Sequence, residues 1–94
     1  MLRFFEVFHA TNMPFPFNTP TPTDFPTNFT SVATVTAKNL DHVYQLTNHI
    51  DSNWTENDGI EAPSPHVRST SIGDVIVNSS GERFMVTSAG FTSF

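Results

Sequence analysis

The stretch 67–87 decides how this chain is read: Val67-Arg68-Ser69-Thr70-Ser71-Ile72-Gly73-Asp74-Val75-Ile76-Val77, then Asn78-Ser79-Ser80-Gly81-Glu82, then Arg83-Phe84-Met85-Val86-Thr87. Two runs rich in β-branched and aromatic residues flank a segment of turn residues, and Gly81 can take the positive φ that a three- to five-residue hairpin loop calls for. A β-hairpin follows, with strands near 74–78 and 83–87. Alternation predicts Val75 and Val77 on one face and Ile76 on the other, with Phe84 and Val86 meeting the Val75/Val77 face. The hairpin carries no evident set of reactive groups.

Just ahead of it stands the polar cluster Arg68-Ser69-Thr70-Ser71. An arginine with three hydroxyls can hold an anion or a partner's carboxylate through charge-assisted bonds. In the plainer reading the hydroxyls shape a turn and Arg68 pairs with Asp74 or with acidic residues further upstream. Those lie in 51–65, where Asp51, Glu56, Asp58 and Glu61 occur without any Lys or Arg and Trp54 sits among them. A calcium loop starting at Asp51 would need glycine at its sixth position and glutamate at its twelfth, and these are Glu56 and Ala62. The segment therefore reads as a solvated acidic loop anchored by Trp54 against the end of a helix.

That helix is expected over 40–50. Asn39 or Asp41 can cap it, and Leu40, Val43, Leu46 and Ile50 fall at three- and four-residue spacing with Tyr44 and Thr47 beside them. His42 and His49 are two turns apart, about 10.5 Å along the axis, too far to share a metal ion. Phe29 to Lys38 is rich in threonine and valine and reads as a strand over 30–37. Leu2 to His9 is another, apolar on both faces and suited to an inner position, pairing antiparallel with 30–37. Between them, 11–28 holds five of the seven prolines together with Phe15, Phe17 and Phe25. Proline at this density rules out helix interior and central strand. The segment is either a ligand-like extended arm or a long loop folded back with its aromatics in the core, and its aromatic content favours the second.

Ninety-four residues make one small α+β domain: a three- to four-stranded, mainly antiparallel sheet with one helix on a face. Phe4 or Phe5, Val35, Val43, Leu46, Val75, Val77, Phe84 and Val86 are its expected core. Without cysteines the core relies on packing, and ten phenylalanines provide for it. A net charge of −5, with only Arg3, Lys38, Arg68 and Arg83 as cations, argues against nucleic acid as a partner. The apolar start Met1-Leu2-Arg3-Phe4-Phe5 is interrupted by Glu6 before it reaches the length of a signal sequence, and no run is long enough to span a membrane. A cytosolic chain starting at its own methionine is expected.

Chemistry is sparse. Neither Ser71-Ile72-Gly73 nor Ser88-Ala89-Gly90 forms a nucleophile elbow, and the four glycines are too scattered for a phosphate cradle. No cofactor or metal is expected, and the chain reads as a non-enzyme.

The run Leu46-Thr47-Asn48-His49-Ile50-Asp51, Trp54, then Arg68-Ser69-Thr70-Ser71-Ile72-Gly73-Asp74-Val75-Ile76 and Gly90-Phe91 resembles small proteins encoded by bacteriophages, cyanophages included. Its latter part is similar to the YodL-like domain of phage- and plasmid-borne proteins, in which an R-S-[LT]-S-[VI]-x-D-V-[IV] strand precedes a Gly-Phe pair. The likeness covers about 29–94, and Ser88-Ala89 stands where that pattern commonly has aspartate-serine. It implies a mobile-element protein acting in the host cytoplasm, modulating host or anti-phage functions by binding a protein. The alternatives are a minor structural component of the phage particle, and a small-molecule or nucleotide-binding protein or small enzyme. Expected partner-binding residues are Phe15, Phe17, Trp54, Glu56, Asp58, Arg68, Ser69 and Ser71. A protein partner is expected, with no membrane association; the oligomeric state is open.

Overall fold

A computed structural model describes residues 2–10, 25, 29–48, 54–56, 59–62, 67, 69–88 and 90–94. Within them the chain forms strands β1 (Arg3–Ala10) and β2 (Phe29–Ala37), helix α1 (Leu40–Thr47), a 3₁₀ turn (Trp54–Glu56), and strands β3 (Ile60–Glu61), β4 (Val75–Asn78), β5 (Arg83–Thr87) and β6 (Gly90–Ser93). The strands make one six-stranded sheet in the order β3-β2-β1-β4-β5-β6, antiparallel at every pairing. The expected three- to four-stranded sheet is thus corrected to a six-stranded one with a single short helix, a β-rich domain. The two additional strands are short. β3 is a two-residue strand held to β2 by Thr34 and Val35, and β6 returns from β5 so that Thr87 faces Gly90.

β1 is an inner strand, with β2 on one side and β4 on the other. Its odd-numbered residues Phe5, Val7 and His9 are buried against the helix-bearing layer, while Phe4 and Glu6 are exposed on the opposite face. β2 follows in register, placing Ala33, Val35 and Ala37 beside Val7, Phe5 and Arg3. The register then shifts between Val7 and Phe8, where buried Val32 is the extra residue of a β-bulge.

The hairpin of β4 and β5 exists, but in a register one residue away from the expected one. Ile76 faces Phe84, and Val75 faces Met85. The loop sets this: Gly81 N donates to Asn78 O at 3.0 Å and Asn78 N to Glu82 O at 3.0 Å, with Gly81 at φ 85°. These bonds close a three-residue loop ending in a glycine bulge, and a slip of one residue exchanges the faces. Ile76, Phe84 and Val86 therefore point toward the helix side with Val7, and Val75 and Met85 toward the other.

Helix α1 starts at Asn39, whose Oδ1 accepts from His42 N at 2.8 Å, as an N-cap does. Val43 and Thr47 are fully buried on the sheet, with Leu40, Tyr44 and Leu46 half-buried around them. Residues 49 and 50 of the expected helix lie outside the described residues. Of the expected core, Phe5, Val35, Val43, Val75 and Val86 are buried. Leu46, Val77 and Phe84 are half-buried, and Phe4 is 64% exposed.

Candidate functional site

The segment around the polar cluster folds as a knot at one end of the sheet. Asp74 N donates to Ser71 O at 3.0 Å, and Gly73, at φ 95°, occupies the third turn position where a type II turn requires positive φ. Gly73 N donates to Val86 O and Val86 N to Asp74 O, so Val86 opposes two residues and β4 begins in a glycine bulge. The bulge aims the Asp74 side chain into the core. There Oδ1 accepts from Ala10 N at 2.9 Å and Oδ2 from Ser71 N at 2.8 Å.

His9 reaches the same point from β1. Its Nε2 lies 2.9 Å from Thr70 Oγ1 and 3.8 Å from Asp74 Oδ2. Thr70 is tied to the end of α1, since its N donates to Thr47 O at 2.9 Å and its O accepts from Asn48 Nδ2 at 2.6 Å. The Trp54 ring, 1% exposed, closes the cluster from the side, with its centroid 6.1 Å from that of His9. A histidine, a carboxylate and a hydroxyl are the parts of a proton relay, but a nucleophile has to meet substrate. Thr70 and Asp74 are 0% exposed and His9 4%. The arrangement joins β1, α1 and the 69–74 turn; it is a polar tie within the core.

The other face of the sheet divides into two halves. Toward β4–β6, Phe25 packs edge-on against Phe8, Phe29 and Phe94 at centroid distances of 5.0, 5.2 and 5.8 Å. Arg83 lies 4.8 Å over Phe94 and 5.8 Å over Phe25, and Val75 and Met85 are buried in this half. Toward β3 the face is open. Phe4 is 64% exposed with Glu6, Thr34 and Glu61 exposed beside it, and Leu2, just ahead of β1, is 57% exposed. A groove of about 290 Å³ runs there, lined by Phe4, Thr34, Thr36, Gly59, Ile60 and Glu61. A second groove, of about 320 Å³, lies where α1 meets the β5–β6 turn, bordered by Asp41, Tyr44, Ile72 and Phe91.

Three of the expected partner-binding residues, Trp54, Ser69 and Ser71, have side chains among the described residues. Phe15, Phe17, Asp58 and Arg68 lie outside the described residues, as does the side chain of Glu56. Trp54 is buried core beside His9. Ser69 and Ser71 are half-buried, and the Ser71 backbone bonds Asp74 through both its amide and its carbonyl. The open half of the face was not expected from sequence. Its signal was present in the alternation Leu2, Phe4, Glu6, which mixes large apolar residues with a charge on one side of a strand.

Among the described residues no group of three or more His, Asp or Glu is placed to hold a metal ion, and no helix is long and apolar enough to cross a membrane. Comparison with protein-family models, with curated proteins and with solved structures returns no match.

Proposed function

We propose that the chain is a phage-encoded interaction protein that works by binding another protein and performs no chemistry of its own. The observation that carries this reading is the open half of the second face. Phe4 of β1 and Leu2, just ahead of that strand, are the exposed large apolar side chains among the described residues, and Phe4 lines an open groove. Isolated surface apolar residues need no explanation, whereas aromatic and aliphatic side chains grouped within a polar rim have the composition of a contact patch. The resemblance of 29–94 to phage proteins supplies the setting, and host or defence proteins are the partners it implies.

The test is affinity capture with the tagged chain from host lysate and, in parallel, a search for the chain in purified virions. The proposal expects a host protein retained by the parent chain and lost on Phe4→Ser, a substitution at a 64% exposed position that leaves the fold intact. Recovery of the chain only within purified virions refutes it and favours a structural role in the particle.

A further inference from the structure

The open half of the second face has a definite chemical pattern. Antiparallel pairing sets Glu6 opposite Thr34 and Thr34 opposite Glu61, so these three form one row across β1, β2 and β3. Phe4 opposite Thr36, with Thr36 N bonded to Gly59 O at 2.8 Å, forms the next row. The first row is acidic at both ends, and its glutamates are separated by two strand spacings, about 9.5 Å between Cα positions. The second row has an aromatic ring at one end and no side chain at the other. The rows lie two residues apart along β2, about 6.7 Å, which is also the spacing of alternate side chains in an extended chain.

Charge complementarity identifies what fits. Among the described residues no Lys or Arg lines the groove, and the whole chain carries a net charge of −5. Glu6 accepts from Ser31 Oγ at 2.6 Å, and a carboxylate has further acceptor positions beyond one such bond. A guanidinium or ammonium group held between Glu6 and Glu61 meets opposite charge from both sides, and the exposed Phe4 ring offers an apolar and cation-attracting surface beside it.

We infer that this half-face is a docking surface for an extended, basic and apolar polypeptide segment. The segment runs along β2 with an arginine or lysine between Glu6 and Glu61 and the residue two positions away on Phe4. The inference rests on the protein-binding reading above and names the chemistry of the partner.

The test uses the full chain, ¹⁵N-labelled, titrated with a blocked Leu-Arg-Val-Arg-Leu peptide and, separately, a blocked Leu-Glu-Val-Glu-Leu peptide. The basic peptide is expected to move the amide signals of Phe4, Glu6, Thr34, Gly59 and Glu61, and the acidic peptide to leave them in place. Glu6→Gln with Glu61→Gln should raise Kd about fivefold, the combined weight of two exposed ion pairs, and raising the salt to 0.5 M should weaken binding in the same direction. Both glutamates are exposed, so the double variant keeps the amide spectrum of the parent away from the substitutions. Equal response to both peptides, movement confined to the Tyr44/Phe91 groove, or no movement at millimolar peptide overturns the inference. None of these outcomes touches the wider proposal, which the lysate and virion experiment decides on its own.

Discussion

Replacing Asp74 by Asn is the most searching single perturbation of this fold. The side chain is 0% exposed and accepts two backbone amides, Ala10 N at 2.9 Å on one oxygen and Ser71 N at 2.8 Å on the other. Asparagine has nearly the same shape but offers one acceptor, so its NH₂ must face one of these amides donor to donor. A hydrogen bond to a charged group contributes about 1.5–3 kcal/mol, and an orphaned buried amide costs about 1–3 kcal/mol. Loss of the buried charge offsets part of this, because an ionised carboxylate is itself costly to desolvate. A net destabilisation of about 3 kcal/mol remains, a large share of the roughly 5–15 kcal/mol that holds a small domain. At about 4–8 °C per kcal/mol for a chain of this length, Tm should fall by about 12–24 °C. The assay is thermal and urea unfolding followed by circular dichroism, with exposed Glu6→Gln as control, expected within about 0.5 kcal/mol of the parent. If Asp74→Asn melts within about 3 °C of the parent, the carboxylate does not hold both amides and the polar tie is misread.

Adjacent phenylalanines on β1 should behave oppositely: Phe5→Ala, at 5% exposure, costs about 3–5 kcal/mol by denaturant titration, while Phe4→Ser, at 64%, costs under about 0.5 kcal/mol. Gly59→Ala should loosen β3, because φ is +84° and the added Cβ would sit 3.1 Å from Thr36 O. Faster hydrogen exchange of the Thr36 amide, which bonds Gly59 O, reads this locally. Phe25→Ala removes three edge-to-face ring contacts and should lower stability by about 2 kcal/mol, measured by the same unfolding curves.

Periodicity carried the long elements and failed on the short ones. β1, β2 and α1 each extend far enough for a repeat of two or 3.6 to show, and Asn39 marks the start of the helix by its own chemistry. β3 has two residues, too few for an alternation to repeat, and owes its existence to the backbone of β2. β6 is joined to β5 through Ser88-Ala89, which lacks the Asn-Gly or Gly-containing signal of a two-residue hairpin turn. The register of the β4–β5 hairpin depended on which of several loop lengths Gly81 would close, and both choices bury apolar side chains because the sheet is covered on both sides there.

The site was less legible than the fold for a related reason. His9 and Thr70 meet across a sequence separation of 61 residues, and Asp74 joins them only because a glycine bulge turns the start of β4 inward. No local pattern announces such a meeting, whereas the same serines and threonines near Gly73 resemble an anion site until their partners are known. The residues that attract attention by composition, Trp54 and the Ser69–Ser71 segment, are occupied in holding the core. Those left exposed, Phe4, Glu6, Thr34 and Glu61, come from three separate strands and share only a face. A consequence is that stability and binding should separate under mutation. Substitutions at His9, Thr70 or Asp74 lower Tm, and any loss of binding they cause should be recovered at a temperature where the variant is folded. Substitutions at Phe4 or Glu61 should weaken the partner at every temperature while the unfolding curve stays in place. A variant of the open face that melts early would contradict this division, since it would mean that the exposed row also supports the core.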